Sequence, residues 1–203
     1  MPVIRPYRKE DFDAVYEICI RTGYAGTDAR PHYEDPTILP EIFAAPYVVL
    51  EPDVCFVVAD DADEAVGYIV ATSDTPRFVR RFREEWLPLV ADRYAPFDGE
   101  PSDLDELMRK LLHWPERMLV AEMAPYPAHL HIDLLPPYQG IGLGKRLIFT
   151  LRDRLAGMGV PGLHLNMARE NDNAFRFYHH IGFEQIPVVG ESEATATFAM
   201  KTS

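Results

Sequence analysis

The sequence holds only two cysteines, Cys19 and Cys55, in 203 residues, too few for a disulfide framework. Both fall inside apolar patterns, where they read as small buried hydrophobes. A reducing, cytoplasmic setting is the matching expectation. Long apolar runs are missing as well: Met1 to Glu10 contains Arg5, Arg8 and Lys9 with no hydrophobic stretch behind them, so neither a signal peptide nor a membrane partner is expected. Positive charge is scarce, with 20 Lys and Arg against 32 Asp and Glu and a formal charge of −12, which argues against a nucleic-acid groove. The acidic balance mildly favours a cationic small molecule or peptide as partner, although it also serves solubility. No repeat, low-complexity tract or Gly/Ser linker divides the chain, and residues 1–203 are expected to form one domain.

What is present is ample material for a core, at 47% hydrophobic and 11% aromatic residues. The 18 prolines, about twice the usual share, point to many short connections. Val3 to Tyr7 reads as a strand. Phe12, Val15, Tyr16 and Cys19 then share one helical face that Gly23 ends. Residues Tyr24 to Leu50 read as a loop-heavy, cleft-lining stretch with a short helical pattern at Ile38 to Phe43. Val54 to Ala59 and Ala65 to Thr72 form a candidate hairpin around the acidic turn Asp60 to Glu64. Thr75 to Tyr94 and Ser102 to Trp114 are expected as helices, the second capped by Ser102.

The last third is more regular. Strands are expected at Leu130 to Leu135, Leu163 to Met167, Phe183 to Val188 and Thr195 to Lys201, and helices at Gly142 to Ala156 and Asn171 to Ile181. That order describes an α/β layer with a mixed sheet and a helical insertion at roughly 75–115, between the third and fourth main strands.

The strongest chemical signal is Pro136-Pro137-Tyr138-Gln139-Gly140-Ile141-Gly142-Leu143-Gly144-Lys145-Arg146. It lies between a strand and a helix start, where unpartnered N–H groups and three glycines can hold an anion, with Lys145 and Arg146 at the rim. A dinucleotide fingerprint fails, because Lys145 stands where the third glycine belongs and no acidic ribose partner follows. A Walker loop fails because Arg146 replaces its Ser or Thr.

The segment resembles motif A of the Gcn5-related N-acetyltransferases, matched at Gln139, Gly142 and Gly144. A second block, Asn171-x-x-Ala174-x-x-x-Tyr178-x-x-x-Gly182-Phe183, resembles the final block of that superfamily at the expected distance. Tyr126 to Asp133, running into motif A behind a helical insertion, is similar to the C-terminal acetyltransferase-like domain of O-GlcNAcase and its free-standing bacterial relatives. The animal domain of that group is thought to have lost coenzyme-binding residues, whereas Gln139, Gly140, Gly142 and Gly144 are all present here.

The resemblance implies a GNAT fold whose mixed central sheet splays at the acetyl-CoA site, with acetyl-CoA as co-substrate, no resident metal and an amine acceptor. Leu134, Leu135, Gln139, Gly140, Ile141, Gly142, Leu143, Gly144 and Lys145 would hold the coenzyme, backbone amides near Leu134 would polarise its thioester, and Asn171 would contact its arm. Tyr178 would protonate the departing thiolate, unless it is a core tyrosine on the face it shares with Ala174, Phe177 and Ile181.

For the base, strand alternation puts His129, His131 and Asp133 on one face and, on the next strand, His164 and Asn166 beside them. Asp133 leads, His131 follows, and a structural hydrogen-bond network is the competing reading. A zinc site has no characteristic spacing here. The expected activity is acetyl transfer to a primary amine by a monomer or homodimer. The rival is an acetyl-CoA-binding module without turnover.

Overall fold

The computed structural model describes residues 2–203. Seven strands form one sheet: β1 (Val3–Pro6), β2 (Phe56–Ala59), β3 (Ala65–Thr72), β4 (Ala128–Leu134), β5 (Gly162–Ala168), β6 (Glu184–Gln185) and β7 (Thr195–Lys201). Their order is β1-β2-β3-β4-β5-β7-β6, antiparallel throughout except for the central β4–β5 pair. β3 is buried along its whole length, because both faces of the sheet are covered.

Helices α1 (Phe12–Thr22), α2 (Ile38–Phe43), α3 (Ala45–Leu50), α4 (Thr75–Arg81), α5 (Leu87–Val90) and α6 (Leu104–His113) build a core on one face, meeting Val57, Tyr68 and Val70. Helices α7 (Leu143–Gly157) and α8 (Asp172–His180) build the other core, over Ile69, Ala71, Leu130, Leu165 and Phe198. α4 to α6 form the insertion between β3 and β4.

Several expectations are corrected. The stretch before Leu50 carries a second helix, α3, entered through Pro46 at its first turn. The helix expected over 75–94 is α4, a π-helical segment at Phe82–Trp86 and α5, because Pro88 cannot donate to Glu84 and its ring displaces that carbonyl. Asp103, not Ser102, caps α6: its carboxylate accepts from Glu106 N–H at 2.8 Å, while Ser102 donates its N–H and O–H to the Glu106 carboxylate. The strand expected over 183–188 shrinks to two residues, and Gly142 and Asn171 are caps rather than helical residues.

Candidate active site

The parallel β4–β5 ladder pairs Ala128 with Leu163 and His129 with His164, and stops there. Beyond it the strands diverge. Leu135 N–H turns the other way and donates to Val66 O at 3.0 Å, so by the alternation of a strand the N–H groups of Ile132 and Leu134 face the gap. Leu135 therefore offers no free amide, whereas Leu134 does; the Leu134 carbonyl accepts from Gln139 Nε2 at 2.7 Å, which ties the motif A glutamine to the edge of the gap.

Past the gap, Pro136–Tyr138 makes a single 3-10 turn, and Gly140 and Gly142 adopt φ of 72° and 86°. A side chain is strained at such angles. A Cβ at either glycine would meet nothing within 4 Å, so the turn opens onto free space. The first amide of α7 to find an acceptor is Arg146 N–H, on Gly142 O at 3.2 Å; those of Leu143, Gly144 and Lys145 point out of the helix start unpaired. Ile141, Lys145 and Arg146 are exposed around them.

A clear space, free donors and two cations fit a pyrophosphate. Gly144 also serves packing: a Cβ there would lie 3.3 Å from the Phe177 ring, so the glycine lets α8 pack closely on α7. Asn171 Oδ1 accepts from Ala174 N–H at 3.0 Å, so its carbonyl caps α8 and its amide N–H₂ is what remains for a ligand.

Tyr178 is a core tyrosine with a free hydroxyl. Its ring packs on Phe177, Phe183 and Phe198, with centroids 5.2, 5.5 and 6.1 Å away. Its hydroxyl makes no protein hydrogen bond, yet it is absent from the orphaned buried atoms, so the oxygen reaches open space. Burial and then the nearby Asp133 carboxylate push its pKa above the phenol's ordinary 10.0.

Asp133 stands on the opposite face of β4, across from Tyr68 on β3, whose hydroxyl donates to Asp133 Oδ2 at 2.6 Å. Burial raises the carboxyl to about 6, opposed by donors on Tyr68 and Thr22. The Asp133 carboxylate on β4 is near enough for its charge to act on the Tyr178 hydroxyl, which belongs to the other core.

Along the same face runs a chain of hydrogen bonds whose direction follows from donor supply. Thr75 Oγ1 donates to Pro127 O at 2.8 Å and so accepts from His129 Nδ1 at 2.7 Å. His129 Nε2 then accepts from the Tyr47 hydroxyl at 2.7 Å, whose oxygen in turn accepts from His131 Nε2 at 3.1 Å. His131 is left with a bare Nδ1. Burial, then the charge of Arg117, pushes its pKa down to about 3. His164 Nδ1 donates to Tyr126 O at 2.7 Å, and Asn166 donates to Thr197 and Glu191. Among the described residues no group of three His, Cys, Asp or Glu side chains is disposed to hold a metal, and no helix is long and apolar enough to cross a membrane.

The profile of the acetyltransferase (GNAT) family matches residues 12–183. The chain belongs to this family. It has the family's mixed, open sheet, and the family uses acetyl-CoA. It is 25% identical over 186 residues to protein O-GlcNAcase of Rattus norvegicus, a match covering 90% of this chain and 20% of that enzyme; the chain thus spans a fifth of the length of the curated relative. The crystal structure of SsHAT superposes with a TM-score of 0.94 at 50% identity, covering 100% of this chain and 98% of the other. PaiA N-acetyltransferase of Thermoplasma acidophilum, solved in complex with coenzyme A, shares the fold at a TM-score of 0.60 and 13% identity, covering 99% of both.

The sequence did not single out Tyr47, Tyr68, Thr22 or Arg117 for this site. Tyr68 meets Asp133 through the β3–β4 pairing, whose register is set across the insertion of α4 to α6 and so has no local signal in the sequence. Tyr47 lay in a stretch read as loop, so no periodicity gave its direction.

Proposed function

We propose that the protein transfers acetyl from acetyl-CoA to a primary amine by direct attack, with Asp133 as base and Tyr178 as acid. The observation that supports this is the gap where the β4–β5 ladder stops, with a glycine turn of unpaired amides following it and an Asp133 carboxylate on β4 whose charge reaches Tyr178. When bound, acetyl-CoA supplies an activated acyl group. The amides of Leu143, Gly144 and Lys145, with the side chains of Lys145 and Arg146, hold anionic charge at the turn. The Leu134 N–H is a fixed donor for an oxygen gaining negative charge in the gap.

Asp133 takes the proton of the acceptor amine. At about 6 its carboxyl is largely ionised near neutrality and still basic enough to receive that proton. His131, held near 3, is the poorer base. Tyr178 keeps its proton across the working range and presents it to the leaving sulfur. Cys19 and Cys55 are buried in the cores, and burial pushes both thiols above their ordinary range, so neither supplies a thiolate and no covalent enzyme intermediate is included.

Free-thiol release measured across an amine panel, for the parent, Asp133→Asn and Tyr178→Phe, tests this. Thiol release that needs both residues supports it. Kinship with a segment of O-GlcNAcase favours a second reading, a module that binds acetyl-CoA without turnover; acetyl-CoA binding with no thiol release from any amine would establish that instead.

A further inference from the structure

Arg117 lies in the 3-10 turn Pro115–Met118, between α6 and β4. Arg5 pairs with Asp11, Arg77 with Glu51 and Arg93 with Glu41, and Arg109, whose Nε is also buried without an acceptor, lies over the Phe97 ring. Arg117 pairs with none of the described residues. Its Nε is fully buried without an acceptor. Nη1 and Nη2 also bond to nothing in the protein, yet they are not among the buried orphans, so the open end of the fork remains reachable. The next residue places Met118 Sδ 3.9 Å from the Tyr47 hydroxyl, which sets the turn against the chain of Tyr47, His129 and His131. The Arg117 charge acts on all three, and both imidazoles stay neutral, so no anion there compensates it. A buried guanidinium without a partner is strongly unfavourable unless an anion joins it.

We propose that Arg117 is the anion-recognition residue of the acceptor site, binding the carboxylate of a small amino-carboxylate acceptor through Nη1 and Nη2. A single planar fork matches a carboxylate. A phosphate would call on several cations or a helix start, and the anion-holding turn of α7 lies over the other core. The proposal narrows the acetyl-transfer reading and rests on it. It also runs against the cationic partner that overall charge mildly favours, because a local unpaired cation decides more than the sum over a surface.

The test uses the full chain, acetyl-CoA and matched acceptors: lysine against cadaverine, ornithine against putrescine, and phosphoethanolamine against ethanolamine. In the parent, the amino acids should exceed their decarboxylated partners by about 10²-fold in kcat/KM, the value of a charge-assisted pair. Arg117→Gln should bring those ratios close to one by lowering the amino-acid rates, while raising the melting temperature, since a buried unpaired charge is removed.

A preference retained in Arg117→Gln, a parent that favours the diamines, or a preference only for phosphoethanolamine overturns the proposal. If no amine releases thiol, the acetyl-transfer reading fails by itself. Calorimetry of N-acetylglycine on the coenzyme A-loaded protein then decides for Arg117: binding lost in Arg117→Gln supports it, and no binding to the parent overturns it.

Discussion

Replacing Asp133 by asparagine separates a catalytic carboxylate from a structural one, because the two roles move stability in opposite directions. Burial raises the Asp133 carboxyl from 3.8 to about 6. The folded protein therefore binds that proton more tightly than the unfolded chain, and the stability this contributes is complete below about pH 4 and lost as pH rises through about 6. Above that, the ionised side chain opposes folding by at most about 3 kcal/mol, from roughly 2 units at 1.36 kcal/mol each. Partial exposure of the side chain makes this an upper figure.

Asparagine has nearly the same volume, still accepts from Tyr68, and cannot ionise. At about pH 8, Asp133→Asn should thus melt as much as about 6–12 °C above the parent, using 2–4 °C per kcal/mol for a chain of this size, and at about pH 4 the two should coincide. Over the same range its kcat/KM for the amine should fall by roughly 10²–10⁴-fold and lose the acidic limb centred near 6. Scanning calorimetry at both pH values and pH-dependent thiol release make the comparison. A variant that melts lower at about pH 8 and keeps the parent rate and pH profile would return Asp133 to a structural network.

Three further outcomes follow from the same geometry. Tyr178→Phe keeps the ring contacts with Phe183 and Phe198, so acetyl-CoA affinity by calorimetry should hold while kcat falls about 10²-fold; an unchanged kcat leaves Tyr178 a packing residue. Gly142→Glu forces a side chain to φ 86°, at about 1–2 kcal/mol of strain, and sets a carboxylate where the turn collects anions, so the variant should remain folded by circular dichroism, melt somewhat lower and lose acetyl-CoA binding; retained affinity removes the turn from the site. Tyr68→Phe withdraws the 2.6 Å donor from Asp133, which should raise the carboxyl further and move the acidic limb of kcat/KM up by about one unit; an unmoved limb means the limb belongs to another group.

How much of this was legible in the sequence depended on the kind of signal. Regular elements of the last third were recovered because glycines and apolar periods bound them: Leu147, Ile148, Leu151 and Leu155 are all buried on α7, as their spacing requires. Errors arose where a local rule competed with another. Ser102 and Asp103 are both good caps, and the one three residues before a free amide won. Pro88 was counted within a helix that it forces into a π-helical segment. The last hairpin was overestimated because β6 needs a ladder partner, and the pairing with β7 covers only Glu184 and Gln185.

The site divides along a similar line. Alternation alone sets His129, His131 and Asp133 on one face, and the observed pairing of His129 with His164 joins the two polar strands as expected. Alternation cannot say what meets that face, and the answer changes the chemistry of each group. Tyr47 arrives from α3, engages both imidazoles and leaves His131 with a bare Nδ1; Arg117 arrives from a turn between α6 and β4, and its charge helps hold that nitrogen unprotonated. Asp133, two residues further along, lies beyond the groups on which Arg117 acts, and burial raises it against the opposing donors of Tyr68 and Thr22. One strand face therefore carries a carboxylate made more basic beside an imidazole made less so. That contrast is why the base falls to Asp133, although the unperturbed values of the two side chains, about 3.9 and 6.5, would have chosen the histidine.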